Sequence, residues 1–538
     1  MRTLFRNAQC WSAGKEIFNG ILVDNGIIIA TGTQALEWHS DKTVDLDNSF
    51  VIPAFLDGHA HPIFGGREAA GPQINGLTSL DEILNEVKNY AVANPDELWI
   101  IGGAYEAAII PGGAFDAHWL DKVVSDRPVV LHAVDHHTIW VNSEALKRAH
   151  ISALTVDPIG GTIARRSDGS PQGTLREPSA IDLILNSAPA DSLSSDIAAI
   201  KRASDAYLRV GVTAAIDSWV EKDMALAYLA AAKSGVLSIA MNLSLLASPS
   251  TWLSKVDEYV ALREEFAALP NADLVNANSI KFLADGALSA GTAALMEPYF
   301  DKPDSCGIKI WSDDELLDAV AKFDMLKFQI HIHAIGDAAV KQALDAIEAM
   351  ELKNPPWDRR PVIVHAQLIC EEDLPRFKKL GVIANIQPLW CYLDPMNKEL
   401  ILPRIGQSRN NLQYRLRTMI DNGVFIAFGS DWPVTSEDPL RGLAVPVNRL
   451  SPGAANEDGW NTSEAITMDE SLSFYTKNVA HQMFRENERG GLEAGMKADF
   501  IVLEKDLSQV DPKDVPSVSI KALYRNGSPV ITNYLELR

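Results

Sequence analysis

VIPAFLDGHAH, residues 51–61, is an apolar run that ends in two histidines separated by one residue. Side chains two apart on a strand share a face, so His59 and His61 can grip one ion from the end of that strand. Seven further apolar stretches follow, most with a polar residue at their C-terminal end. They are GVTAAIDS from Gly211, VLSIAMNLSLL from Val236, SIKFLADG from Ser279, FQIHIHAIGD from Phe328, PVIVHAQ from Pro361, GVIANIQP from Gly381 and VFIAFGSDWP from Val424. Each is followed by an amphipathic segment of helical period, which is the rhythm of βα units. Parallel strands covered by helices read as continuous apolar runs, and eight of them suffice to close a (β/α)₈ barrel. Barrel enzymes place their chemistry at the C-terminal mouth, where the polar residues of these stretches fall.

The chain ends have a different texture. TLFRNAQC, GILVDNGIIIATG and TVDLDNSFVI precede residue 53, and ADFIVLEKD and SVSIKALYRNGSPVI close the chain. Asn25-Gly26 and Asn526-Gly527 are type I′ hairpin signals between alternating strands. Residues 1–52 and 486–538 are therefore expected to form one small β-sandwich domain around a barrel spanning 53–485. Roughly 140 residues separate the first two barrel strands, far beyond an ordinary βα connection, and they carry strands of their own in LWIIGGAYEAAI and RPVVLHAV. Residues 66–200 are read as an insertion near the active-site mouth.

Composition sets limits on function. The 538 residues are 47% hydrophobic and 22% charged, ordinary globular usage. Lysine and arginine number 48 against 71 acidic residues, a net charge of −23 that opposes a nucleic-acid or anionic-membrane partner. No apolar run of about 18 residues is present and the first residues lack a signal-peptide core, so a cytoplasmic protein is expected. Cys10, Cys306, Cys370 and Cys391 are too scattered for a disulfide framework or a Cys-x-x-Cys zinc site.

His333 ends the fifth barrel stretch, His365 the sixth and Asp431 the eighth, so a closed barrel brings four imidazoles and a carboxylate to one rim. Neutral imidazole with carboxylate suits Zn²⁺, with Fe²⁺, Mn²⁺ or Co²⁺ as alternatives, as one ion or two. Lys281 sits in the apolar fourth stretch, where an uncompensated ammonium is costly. Asp285 is a poor partner for it, because four residues along a strand separate side chains by about 13 Å. A neutral Lys281 carboxylated by CO₂, its carbamate bridging two metals, is the alternative. His331 shares the face of His333 one pair deeper and suits a supporting or core role. Asp337 either caps the following helix or orients His333.

Taken together, PAFLDGHAH at 53–61, His333, His365 and FGSDWP at 428–433 resemble the amidohydrolase superfamily across nearly the whole chain. VNSEAL at 141–146, IKFLADGAL at 280–288, HIHAIGD at 331–337 and VHAQ at 364–367 narrow the resemblance to amidohydrolase family 3, which includes N-substituted formamide deformylase. The resemblance implies a barrel with a β-sandwich from both termini and a metal centre that activates water. By it, His59, His61 and Asp431 hold one metal and His333 and His365 a second, with modified Lys281 between. Asp431 moves the proton from water to the leaving nitrogen. His137, in DHHTIWVNSEAL, and Glu177, in GTLRE, match family positions facing the substrate, although a loop histidine and a solvated glutamate are the plain alternatives. Related chains often read DGSLGSRTA where this one reads DGALSAGTA at 285–293, so substrate contacts differ there. Trp140, Trp390 and Trp432, in or beside the motifs, suit an apolar or aromatic substrate group as well as core packing.

The expected reaction is hydrolysis of a non-peptide C–N bond, as in an N-substituted formamide or N-acyl amine. A lactone or phosphoester hydrolase on the same scaffold, or a non-catalytic regulatory protein retaining the fold, are the alternatives. A small-molecule amide-type substrate is the expected partner, and a homodimer is compatible with a barrel of this kind.

Overall fold

The computed structural model describes residues 1–532 except Asp135, residues 159–160, residue 453 and residues 455–457. Residues 533–538, the end of the expected terminal unit, lie outside the described residues. Eight parallel strands form the central sheet: β1 (Phe55–Ala60), β2 (Val212–Val220), β3 (Ala240–Leu246), β4 (Val275–Leu283), β5 (Gln329–Ala334), β6 (Val362–His365), β7 (Ile383–Ile386) and β8 (Phe425–Phe428). They pair in chain order from β1 to β8. Each overlaps one of the eight apolar stretches quoted above, β4 beginning earlier, at Val275, and β2 running on to Val220, and these strands are almost wholly buried, as continuous apolar runs covered by helices should be.

The two edges of this sheet meet just beyond β1 and β8. Asp431 donates its backbone N–H to the His59 carbonyl at 2.7 Å, and His61 N–H donates to the Trp432 carbonyl at 2.7 Å. Asp57 fastens the seam from inside: its carboxylate accepts from the backbone N–H of Ser430 (2.9 Å), from the Ser430 hydroxyl, from His59 N–H (3.2 Å) and from Tyr207 Oη (3.1 Å). Gly58 permits the approach, since a Cβ there would stand 2.4 Å from Asn385 Nδ2 and 2.7 Å from the Phe428 carbonyl. The result is a (β/α)₈ barrel of the TIM type.

Strands from both ends of the chain share one seven-stranded sheet. Its order is Ser528–Thr532, Ile520–Arg525, Phe500–Leu503, Lys42–Pro53, Arg2–Cys10, Phe18–Asp24, Ile27–Thr31. Both Asn-Gly pairs turn with positive φ (Asn25 50°, Gly26 83°, Asn526 48°, Gly527 69°), as a type I′ turn requires. The strand Lys42–Pro53 runs through Ala54 straight into β1, so the terminal sheet aims the histidine pair.

Between β1 and β2 lies a separate five-stranded sheet, ordered Ile100–Tyr105, Val129–Ala133, Thr138–Val141, Pro171–Arg176, Thr162–Arg165. Trp140 is fully buried in its core against Phe115 and Tyr105. Residues 66 and 200 fall within the flanking helices α1 (Pro62–Glu68) and α2 (Leu193–Arg209). These two pack so closely that a Cβ on Gly66 would stand 2.1 Å from the Ala199 carbonyl.

Candidate metal centre

At the C-terminal mouth, ligand atoms of His59, His365 and Asp431 all lie within 4.8 Å of one another. Asp431 Oδ1 is 3.2 Å from His59 Nε2 and 3.0 Å from His61 Nε2. The His333 ring lies 4.6 Å from the His365 ring, centroid to centroid. These groups come from β1, β5, β6 and the turn after β8, and all but His61 are buried. His365 and Asp431 have positive φ, 70° and 57°. Backbone in this region costs on the order of 1–3 kcal/mol per residue and persists where surrounding structure fixes a functional side chain.

Burial and neighbouring charge favour the neutral form of four imidazoles, His59, His331, His333 and His365. Burial, then the Lys281 charge, holds His59, His331 and His333 well below their ordinary value. His365 is lowered by burial, then His333 and Lys281. Neutral imidazole is the metal-binding form. Lys281 is 1% exposed, and burial brings it down to about 7 against the opposing pull of Asp431. Asp285 does not serve it: the Asp285 carboxylate accepts the backbone N–H groups of Ala294, Ile335 and Gly336 at 2.8–3.0 Å.

The residues fit a divalent ion. Among the described residues, Asp431 Oδ1 and His61 Nδ1 are buried without a hydrogen-bond partner, which is costly for polar atoms serving only packing. His365 Nδ1 faces Gln387 Oε1 at 2.7 Å, leaving Nε2 toward the other ligands. His59 Nδ1 faces His331 Nε2 at 3.2 Å. Histidine ligands elsewhere are oriented by such partners on the second ring nitrogen.

The remaining candidates divide. His137 reaches the mouth from the insertion, its ring 6.3 Å from that of His333. Glu177, 7% exposed and with φ 68°, holds His137 Nδ1 at 2.9 Å and accepts from Thr292 Oγ1 at 2.8 Å, so it is a fixed group and not a solvated one. Trp432 packs in the core, edge-on to Tyr207 and so close over Gly65 that a Cβ there would meet its ring at 2.6 Å. Its place is the packing one. Trp390 instead stacks on the His365 ring at 5.1 Å with planes 1° apart and is half-buried. Asp337 lies at the first position of the helix Asp337–Lys353, where it accepts from Met296 N–H at 2.9 Å. Sequence reading missed Gln387, Thr292, Asp57 and Phe64, whose ring lies 6.0 Å from His61. Two of these offered a signal: Gln387 directly follows β7, and Asp57 lies within PAFLDGHAH.

A barrel whose mouth gathers imidazoles, a carboxylate and a buried lysine defines a metal-dependent hydrolase of the amidohydrolase class. The amidohydrolase family model matches residues 42–531, and the chain belongs to amidohydrolase family 3. It is 31% identical over 527 residues to the Arabidopsis thaliana protein LONG AFTER FAR-RED 3, covering 95% of this chain and 88% of that one. It is 25% identical over 540 residues to the N-substituted formamide deformylase of Arthrobacter pascens, covering 97% and 96%. Among solved structures, an uncharacterised metal-dependent hydrolase from Pyrococcus horikoshii OT3 shares the fold with a TM-score of 0.75 at 23% identity, covering 95% of this chain and 99% of that one.

Proposed function

We propose that this amidohydrolase cleaves a non-peptide C–N bond of an open amide, of the N-substituted formamide or N-acyl amine type, with zinc as its metal. The observation carrying this reading is the convergence of His59, His365 and Asp431 on one space, with His61 3.0 Å from the same carboxylate oxygen. A divalent ion held there supplies Lewis acidity, polarising a carbonyl and bringing the pKa of water toward ~7. His59, His61 and Asp431 would hold one ion and His333 and His365 a second. Lys281, brought down to about 7 by burial, has a large free-amine fraction near neutral pH whose lone pair can add to CO₂; loss of one N–H proton leaves the carbamate that would lie between the two sets.

Asp431 does the proton work. Its carboxylate stands beside two imidazoles and accepts a proton from attacking water, then returns it to the nitrogen that leaves as amine. His137, held by Glu177, is placed to bind the substrate oxygen, and Trp390 offers an aromatic wall above His365. The deformylase relative supports a small N-acyl group on the substrate.

The test is a panel of formamides, N-acyl amines, lactones and phosphoesters, assayed on chelated protein and after return of Zn²⁺, with metal content measured in parallel. Turnover of open amides that vanishes on chelation and returns with zinc is the expected result. Faster lactone or phosphoester turnover would move the reading to those substrates. Full metal occupancy without turnover would assign the fold a regulatory role.

A further inference from the structure

His333 carries its environment on one nitrogen. Its Nε2 lies 3.2 Å from the Gly286 carbonyl and 3.6 Å from Asp285 Oδ1, both of them acceptors. Nε2 therefore bears the proton, and Nδ1 presents the lone pair that a ligand needs. The Gly286 carbonyl belongs to the loop after β4, and the start of that loop is braced by the side chain of Thr292. Thr292 Oγ1 accepts the Ala287 N–H at 3.0 Å, while the Thr292 N–H donates to the Ala287 carbonyl at 3.0 Å. Gly286 is packed directly beneath it: a Cβ on Gly286 would stand 2.2 Å from Thr292 Oγ1 and 3.4 Å from Glu177 Oε1.

The hydroxyl proton of Thr292 goes to Glu177 Oε1 at 2.8 Å, and the other carboxylate oxygen of Glu177 holds His137 Nδ1 at 2.9 Å. Glu177 is itself fixed by the inserted sheet. Its N–H donates to the His137 carbonyl at 2.8 Å, it directly follows the strand Pro171–Arg176, and its φ of 68° turns the chain there into the helix Pro178–Leu185. A continuous chain of contacts thus runs from the insertion to a barrel imidazole: Glu177, Thr292, the 286–287 backbone, His333.

We infer that Glu177 and Thr292 are positioning residues through which the insertion fixes the ring tautomer and orientation of His333. Glu177, expected from sequence to touch substrate, acts through Thr292 and His137 instead. The 66–200 segment is then a working part of the metal centre and not merely a cover over it. The inference rests on the metal reading above only for its consequence in affinity; its effect on the His333 ring stands apart from any ion.

The experiment uses the full chain as Thr292→Val, Thr292→Ser and Glu177→Gln. Nitrogen-15 shifts of the imidazole rings are recorded on chelated protein, with the His333 signals assigned through His333→Asn. Zn²⁺ affinity is measured by chelator competition. Wild type and T292S should show His333 protonated at Nε2, whereas T292V and E177Q should show mixed tautomers. Zinc binding at the weaker site should fall by about tenfold or more in T292V and E177Q, the size usual for loss of a group that orients a metal ligand. T292S should stay within about twofold. An unchanged His333 tautomer in a folded T292V overturns the inference, as does equal weakening in T292S and T292V. Wild-type protein that takes up no zinc would refute the metal reading, and the tautomer comparison would still decide this one.

Discussion

Replacing Asp57 by asparagine tests how the barrel seam holds His59 and Asp431. Asp57 is 2% exposed and makes four hydrogen bonds across the seam, yet burial raises its carboxyl from the ordinary 3.8 to about 6. That gap corresponds to ~3 kcal/mol in favour of the neutral acid in the folded protein, at 1.36 kcal/mol per pH unit. The sign follows from linkage: an acid with a raised folded pKa gives stability that is complete below its unfolded value. That stability is lost as pH rises through the folded one. Most of the loss falls between pH 3.8 and 6, and ~1.4 kcal/mol of it remains between pH 5 and 7.5. The asparagine side chain does not titrate. Its amide leaves the Tyr207 and Ser430 hydroxyls without their shared acceptor, a constant cost of about 1–3 kcal/mol. The Asp57→Asn variant should therefore be less stable than wild type at pH 5 and recover ~1.4 kcal/mol of that deficit by pH 7.5. Urea unfolding of chelated protein at both pH values measures it, and the buried histidines common to both proteins cancel in the difference. A deficit that stays constant, or widens with pH, refutes the account of Asp57 as a carboxyl held near neutrality at the seam.

Two further outcomes follow from the same groups. Gln387→Leu removes the acceptor facing His365 Nδ1 at 2.7 Å. It should weaken zinc binding by about 10–100-fold in chelator competition while leaving the far-ultraviolet circular dichroism unchanged; wild-type affinity would show that the ring needs no such partner. His59, His132, His136, His331, His333 and His365 are all lowered, chiefly by burial. A depressed histidine contributes stability that disappears as pH falls below its unfolded value near 6.5, because only the unfolded chain takes the proton. The burial-raised carboxyls of Asp57, Glu68, Asp217, Asp285 and Asp394 act in the opposite sense over the same range, so the rings are read directly: in metal-free folded protein the six imidazoles should stay neutral as pH falls through 6.5, followed by their nitrogen-15 shifts. Nitrogen-15 shifts that titrate near pH 6.5 in the folded protein would mean the rings are protonated in place.

The eight barrel strands were legible because burial on both faces forces apolar runs, and because each run ends where the mouth needs a polar residue. The Asn-Gly hairpins were legible for a different reason: two successive positive φ values admit few residue types, so the turn writes itself into sequence. The metal-site residues became visible by position, at strand ends, and not by local composition. His331 illustrates the limit. It differs from His333 by one pair along β5, and which imidazole meets the metal depends on depth in the barrel, a matter of strand stagger that pattern does not report. The tryptophans show the same limit. Trp432 lies inside a motif and packs in the core, while Trp390 lies in a short helical turn after β7 and stacks on His365. Both are apolar residues near a strand end, and only the path of the backbone after that end separates them.

What stayed hidden is the set of groups that act on the site through something else. Asp57, Gln387, Thr292 and Glu177 each hold a site residue or its backbone, and although Asp57 and Glu177 lie within quoted motifs, the contacts through which they act are not written there. Two of the contacts join residues far apart along the chain, 115 residues between Glu177 and Thr292 and 373 between Asp57 and Ser430. Such pairs exist only once the barrel has closed and the insertion has settled on it. This separation has a consequence for how the centre tolerates change. Under the proposed ligand set, a substitution at His59 or Asp431 removes a ligand outright, whereas one at Thr292 or Gln387 leaves every ligand present and lets a ring turn. The second kind of change costs affinity in proportion to how many orientations the freed ring gains. His333, with one nitrogen facing two acceptors supplied by a braced loop, has the most to lose from that freedom.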